Sequence, residues 1–391
     1  MKELLFITHR LPYPPDKGDR VRAFHEIVEL AKEFRVTVAS PIHRRGEQEQ
    51  AAALAGHCAE VITAAAGRVK WLLGVLKHMQ GGSNTEAHFN IPALAAKIRN
   101  HWAQKPFDIV IAYSSAVIPT ALAVPARLHL ADLVDADSAK WRAYAQACGP
   151  LKRRFYLREA AGVADLERRA VESCEASFVV SELEAAALPV RNDRVRVMAN
   201  GVDLEFFSPS GHEPAEPPSL VFTGQMDYSP NVQAVCWFVQ NVWPQLRQEH
   251  PDLRFVIVGR EPTAAVRQLA ACDGVVVTGR VDDVRPYVHR AVAVIAPLQI
   301  APGISNKVLE AMAMCKCIIA SPAALTGLDI EIGRDLLLAD TPPQWLAALS
   351  QVLAAAQLRQ AFGLAARARA EALYRWPIRL TPLLQVCRQV G

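Results

Sequence analysis

The sequence lacks any uninterrupted run of about 18 apolar residues, the length a membrane-spanning helix needs, so no such helix is expected. The opening "MKELLFITHRLPYPP" has one early lysine and a short apolar run, but no long apolar region and no small-residue cleavage site. It is expected to form a first strand on the cytosolic side rather than a secretory signal. The eight cysteines, at 58, 148, 174, 236, 272, 315, 317 and 387, form no CxxC pair and no spacing with histidine that suits zinc. They are expected to be reduced, mostly buried small residues rather than a disulfide framework or a structural metal site. No GxGxxG follows a strand-like run, which disfavours a dehydrogenase. Strong charge is missing too: 43 Lys+Arg face 39 Asp+Glu, a net +4 over 391 residues, and composition therefore asks for no nucleic acid. The surplus lies in residues 1–200, which carry +5 against −1 for the rest, so an anionic partner should favour the first half.

What is present is a globular composition, 51% hydrophobic and 21% charged, on a chain too long for one ordinary core, and two domains are expected. Short apolar runs alternate with segments of helical period, the pattern of parallel strands covered by helices on both faces. The first series is "LLFIT", "VTVAS", "EVITA", "DIVIAY", "LHLADLVDAD", "ASFVVS" and "VRVMAN". "FFSPSGHEPAEPPS", residues 206–219, is rich in Pro, Ser and Gly and reads as a linker. The second series is "SLVFTG", "LRFVIVG", "GVVVTG", "AVAVIAPL", "CIIAS" and "DLLLAD". Three of these end in Gly, where a parallel strand turns into a ligand-binding loop. The pattern predicts an α/β protein of two Rossmann-like halves facing each other across a cleft. Residues 1–203 form the first domain, 204–218 the linker and 219–374 the second domain. The closing helices, over 345–374 and 380–390, are expected to wrap back so that 375–391 packs on the first domain.

The stretch "APGISNKVLEAMAMCKCIIAS", residues 301–321, carries the plainest chemistry. Gly303 permits a turn closed to other residues, and Ser305 and Asn306 can cap the helix that follows. The free N–H groups and dipole at such a helix start suit a phosphate. Glu310, one to two turns in, can accept hydrogen bonds from sugar hydroxyls, so a nucleotide diphosphate with its ribose fits. Spacing alone leaves open a capped helix whose Glu310 points to solvent or to Lys307.

This segment resembles the nucleotide-binding helix of the family-4 retaining glycosyltransferases of GT-B fold, whose turn carries two glutamates with seven residues between them. Glu310 matches the second, Pro302 stands at the first, and Cys315 replaces a usual Gly. "VVSELEAAAL" with "VRVMANGVDLEFFSP" is similar to the family's interdomain signature, and "VVVTGRVDDVRPYVHRAVAVIAPL" to the segment that closes over the base. More narrowly, "THRLPYPPDKGDRVRAFHEI", "LVDADSAKW" and "GQMDYSPN" resemble the sugar transferases of PEP-CTERM/exosortase exopolysaccharide systems.

The resemblance implies a bacterial, cytoplasmic-side hexosyltransferase that needs no cofactor or metal beyond its nucleotide diphosphate sugar. Glu310 would hold the ribose, and the backbone of Gly303, Ile304, Ser305 and Asn306 would cradle the diphosphate. Arg280 and Val281 would lie by the nucleobase, and Gly18 and Arg20, in "PPDKGDR", near donor phosphate and acceptor. Relatives place an Arg and a Lys in the loop after the second domain's first strand; here Gly224 is followed by Gln225, with Pro230 or Asn231 near the Lys position. Departure of the diphosphate still requires positive charge, for which Lys307 is the first candidate and Arg20 and Arg22 the next. Asp135, Asp137 and Ser138 are candidates for sugar or acceptor contacts, one of them alternatively capping a helix. "DAD" at 135–137 formally matches a metal-binding DxD and is discounted in a GT-B setting. His9 is expected to be a satisfied strand-end histidine.

The acceptor implied is a saccharide or a lipid-linked one. Basic and aromatic mixtures at 67–80 and 149–158 suit peripheral contact with an anionic membrane. The competing reading is a non-catalytic or degenerate nucleotide-sugar-binding protein, made credible by Pro302, Gln225 and a missing second Gly near Gly18. A nucleotide-sugar 2-epimerase would not explain "LVDADSAKW".

Overall fold

The apolar runs become strands because both faces of each are covered, and such strands read as continuous rather than alternating hydrophobic stretches. The computed structural model describes residues 1–16, 18–66, 83–146, 148–209, 217–301 and 303–390. These fall into two units, one of residues 1–199 with 379–391 and one of residues 200–378.

The first unit contains a seven-stranded parallel sheet of order β3-β2-β1-β4-β5-β6-β7. Its strands are β1 (Glu3–Thr8), β2 (Arg35–Ile42), β3 (Glu60–Ala65), β4 (Ile109–Tyr113), β5 (Leu128–Val134), β6 (Ala176–Val179) and β7 (Val195–Val197). β1 lies inside the sheet, pairing Leu5 with Thr37 on one side and Val110 on the other. Leu5, Ile7, Val110, Ala112 and Ala131 build a core against helices on one face. Each such fully buried Leu, Ile or Val contributes about 1.5–3 kcal/mol relative to exposure. The closing helix Thr381–Arg388 belongs to this unit, where Arg388 Nε donates to Glu33 Oε2 at 2.8 Å.

The second unit repeats the logic with six parallel strands in the order β10-β9-β8-β11-β12-β13. They are β8 (Ser219–Thr223), β9 (Arg254–Val258), β10 (Val275–Gly279), β11 (Ala293–Ala296), β12 (Ile318–Ala320) and β13 (Leu337–Leu338). The helical stretch expected over 345–374 is two helices, Pro342–Ala354 and Ala356–Leu373, because Ala355 leaves helical geometry at φ −127°, ψ 99°. The cysteines are less sheltered than expected: 174, 317 and 387 are buried, 58, 148, 236 and 315 half-buried, and 272 exposed.

Helix Asn306–Ala313 ends in a Schellman turn, with Lys316 N–H donating to Ala311 O at 3.1 Å and Cys315 N–H to Met312 O at 3.0 Å. The turn forces Cys315 to φ +59°, a conformation that costs an L-residue about 1–2 kcal/mol. Gly363 admits the turn, since a Cβ there would lie 2.1 Å from Cys315 O. Cys315→Gly should therefore stabilise the protein by about 0.5–1 kcal/mol, the strain relieved less the extra freedom of glycine in the unfolded chain. Urea denaturation of the two proteins checks this, and a less stable variant would contradict it.

Candidate active site

The strand order of the second unit reverses its direction of growth between β8 and β11. Loops leaving the carboxyl ends of two such strands diverge and open the crevice in which parallel α/β sheets bind ligands. β8 runs into Gly224 and Gln225, and β11 into the turn that feeds helix Asn306–Ala313. The close approach at the β8 end demands glycine twice. A Cβ on Gly224 would lie 2.7 Å from Asn231 Nδ2, and one on Gly259 would lie 1.6 Å from Gly224 O. Gly303, at φ +73°, turns the chain toward the helix, and Ser305 is its N-cap residue.

Ser305 makes no side-chain cap bond, and its buried Oγ has no hydrogen-bond partner. Val308 N–H already donates to Ser305 O at 3.0 Å, which leaves that hydroxyl and the N–H groups of Asn306 and Lys307, without intrahelical acceptors, as a helix start suited to an anion. Asn306 Oδ1 accepts from Asn200 Nδ2 at 3.0 Å, tying the helix start to the "ANGVD" segment. Ile304 is half-buried against the core of this unit.

Lys307 lies in the first turn, partly buried. Its Nζ donates to Asn231 Oδ1 at 2.7 Å and sits 4.4 Å from the centre of the Phe222 ring. Asn231 in turn donates from Nδ2 to Gln225 O at 2.9 Å, so Phe222, Gln225, Asn231 and Lys307 form one connected group. Burial pushes the Lys307 pKa down to about 8, and the Glu310 carboxylate opposes the shift. Burial likewise pushes Glu310 up to about 7, opposed by Lys307. A cation and a carboxylate on one helix face thus both titrate near neutrality, as groups at ligand sites often do.

Other candidates in this unit stand apart from that group. Arg280 is exposed after Gly279 at the end of β10, two strands from β8, and Val281 packs on the core. Gln225 turns its amide toward Glu261, with Nε2 3.4 Å from Oε2. Pro302 lies outside the described residues, as do 67–80 of the two basic-aromatic segments and 210–216 of the expected linker.

In the first unit Gly18 opens helix Gly18–Leu30 after β1, beside the switch between β1 and β4. Arg20 faces Asp16 at 3.4 Å and Glu47 at 3.6 Å, with its Nε buried and unsatisfied. Arg22 does not serve a ligand. It is fully buried, with Nε 2.5 Å from Asp132 Oδ2 and 3.1 Å from Glu26 Oε1, while Nη1 donates to Met198 O at 2.7 Å. Its guanidinium is consumed by the interior, so it is corrected from a diphosphate candidate to a structural cation.

Asp135 and Asp137 follow β5, half-buried, at a bend where Val134 is held at φ +67°. A β-branched residue in that conformation is strained. The bend is held by Asp132 Oδ1, which accepts from Val134 N–H at 3.1 Å, and by Glu184 Oε2, which accepts from Ala136 N–H at 2.7 Å. Burial, with Glu184 and Asp137 nearby, pushes Asp135 up to about 7, and burial raises Asp137 as well. Ser138 is fully buried: its N–H donates to Glu167 and its Oγ accepts from Arg142. It is therefore corrected from a sugar contact to a structural hydroxyl. The His9 ring stacks on Tyr113 at 6.2 Å and meets the edge of Phe89 at 5.1 Å.

Phe222, Glu26 and Glu184 stand among no candidates read from the sequence, and Asn200 entered only within the interdomain signature. Glu26, four residues after Arg22 on one helix face, and Glu184, three after the capping Ser181, each had a local signal.

Residues 217–355 match the family model described as glycosyl transferases group 1. Comparison with curated proteins finds no match. Among solved structures, the chain is similar to the sucrose-phosphate synthase (tll1590) from Thermosynechococcus elongatus at 18% identity and TM-score 0.72, covering 100% of this chain and 99% of that one. It is also similar to Anabaena Alr3699/HepE in complex with UDP and glucose, at 13% identity, TM-score 0.69 and 100% coverage of both chains. A mutant of S. aureus TarM in complex with Fondaparinux, alpha-GlcNAc-glycerol and UDP matches at 10% identity, TM-score 0.71 and 99% of each chain. The chain has the GT-B fold of two Rossmann-like domains, and with the group 1 match over its second unit this supports a GT-B glycosyltransferase.

Proposed function

We propose that the protein is a family-4 retaining glycosyltransferase that moves a hexose-type sugar from a nucleotide diphosphate sugar to a saccharide or lipid-linked acceptor. Its place is exopolysaccharide assembly on the cytoplasmic side, as in the PEP-CTERM/exosortase systems it resembles. The observation that carries the reading is Lys307, fixed by Asn231 over Phe222 in the first turn of the helix at the β8/β11 switch. The diphosphate would take the helix start at Ser305 and the Lys307 ammonium. Glu310 would accept from the ribose hydroxyls, while Asp135 and Asp137 would act on the acceptor side. As the bond from the anomeric carbon to the leaving phosphate oxygen breaks, the acceptor oxygen bonds that carbon on the same face. Its proton passes to the departing phosphate. No carboxylate nucleophile is needed, so the protein's contribution is orientation and electrostatics. The proposal includes no metal ion, and turnover should survive a chelator.

Binding is tested by thermal shift with UDP-, GDP-, ADP- and dTDP-sugars, since a ligand held only by the folded state raises its melting temperature. One nucleotide class should do so. Glu310→Ala should weaken that binding by about ten- to a hundredfold, the loss of hydrogen bonds to a charged acceptor. Unchanged affinity would remove Glu310 from the site. Slow hydrolysis of the same donor separates a transferase from a protein that only binds it.

The pH profile follows from the pair. Diphosphate binding needs Lys307 charged and is lost as pH rises through about 8. Ribose binding is strongest with Glu310 ionised and is gained as pH rises through about 7. The kcat/KM profile, which reports the free enzyme, should be bell-shaped with its maximum between those values, and the two limbs belong to the coupled pair. Lys307→Arg should move the alkaline limb upward, and an unmoved limb would assign it to another group.

A further inference from the structure

The two helices Asp137–Gln146 and Pro150–Ser173 form a hairpin that begins at the carboxyl edge of the first sheet. From Ser138 to Arg158 the chain carries six basic residues, Lys140, Arg142, Lys152, Arg153, Arg154 and Arg158, and no acidic one. The flanking Glu159 is buried and committed inward, accepting from Ser83 Oγ at 2.8 Å and from the N–H groups of Asn84 and Thr85 at 2.7 Å. Farther along the helix charge is balanced again by the ion pair of Arg168 with Asp165. On helix Pro150–Ser173 the unbalanced positive charge therefore lies at the tip end, from Lys152 to Arg158.

That tip is also apolar. Leu151 is 90% exposed, Leu157 46%, Tyr144 44% and Phe155 40%, where a globular surface would ordinarily carry polar groups. Tyr144, Trp141 and Tyr156 pack ring against ring at 5.5–6.2 Å, giving the exposed aromatics a firm base. Arg153, Arg154, Leu157 and Arg158 line a groove of about 380 Å³ with Pro150 and Ala161. Guanidinium groups beside open aliphatic surface are complementary to phosphate headgroups lying over acyl chains.

We propose that this hairpin tip docks the protein on an anionic lipid bilayer, with Lys152, Arg153 and Arg154 facing headgroup phosphates and Leu151, Phe155 and Leu157 entering the interface. At 1.5 Å per residue, helix Asp137–Gln146 spans about 15 Å, which holds the Asp135 bend roughly that far along the hairpin from the lipid. Docking does not depend on the transferase reading, although a lipid-linked acceptor would be met at this distance.

The test is cosedimentation of the full chain with vesicles of phosphatidylglycerol and phosphatidylcholine, or of phosphatidylcholine alone, without donor. The anionic vesicles should bind it, and raised salt should release it. Lys152→Glu/Arg153→Glu/Arg154→Glu should lower partitioning by roughly a hundredfold or more, and Leu151→Ser/Leu157→Ser by roughly tenfold. Both variants change exposed residues and should keep the melting temperature and donor hydrolysis in solution. Failure to bind anionic vesicles, equal binding to neutral ones, or full binding by either variant would overturn the proposal. Loss of donor hydrolysis in both variants would also overturn it, by making the tip part of the reaction site rather than a separate docking surface. Failure of donor hydrolysis in the unmodified chain would bear on the transferase reading alone.

Discussion

Lys307→Met lowers donor turnover by about 10²–10³-fold, the cost of removing one preorganised charge from a developing oxyanion, while the melting temperature holds or rises. The two readouts move apart for one physical reason. The ammonium is held among Phe222, Asn231 and Glu310, where burial depresses its pKa to about 8. A lowered pKa means that the folded state disfavours the charged form, so below about 8 the charge is a cost to folding. Stability gained from its deprotonation therefore appears only as pH rises from about 8 toward the unfolded value of 10.5. Methionine keeps the stem on Phe222 and removes that cost at every pH, which offsets the donor lost to Asn231 Oδ1 and the cation lost to Glu310. A lysine retained for packing would give the opposite result, with lower stability and unchanged turnover. Donor hydrolysis and thermal melts of the same preparation decide between them.

The extent to which the site could be read in advance follows from sequence separation. Gly303, Ser305, Lys307 and Glu310 lie within eight residues, and the turn, cap and helix that relate them are local. The partner that fixes Lys307 is Asn231, 76 residues away, and no periodicity reports such a contact. Arg22 shows the converse error. An arginine just past the turn after a first strand, in the opening turns of the helix that follows, looks aimed at a ligand, yet its partner Asp132 lies 110 residues away and inside the core. The strands themselves were legible because burial on both faces leaves runs such as "DIVIAY" and "AVAVIAPL" without polar interruption. "DLLLAD" was over-read, since only Leu337 and Leu338 pair with β12. The break at Ala355 had no signal at all, because the surrounding "AAAQ" contains neither Gly nor Pro.

Arg22→Met should destabilise the protein by about 3–5 kcal/mol, the usual cost of stranding buried charge. Asp132 and Glu26 are both fully buried, and Arg22 is the cation that faces each of them. Even with Arg22 present, Glu26 is held well above the usual carboxylate range, by burial first and by Asp132 next, with Arg22 opposing both. Without the guanidinium the folded state must keep still more protons on the pair. A folded pKa raised above the unfolded value gives stability at low pH and loses it as pH rises. The deficit of the variant should therefore be larger at pH 8 than at pH 5.5. Urea denaturation at the two values measures this, and a loss below about 1 kcal/mol, or one independent of pH, would refute the account. Arg22→Met/Glu26→Leu/Asp132→Asn should recover most of the stability, because it removes the charges together and keeps an acceptor for the Val134 N–H. Apolar replacement of a whole buried ionic cluster is often neutral or better. The same variant tests the bend at Val134, since Asp135 and Asp137 hang from it: recovered stability with lost turnover would place Asp132 as a positioning residue for that end of the sheet.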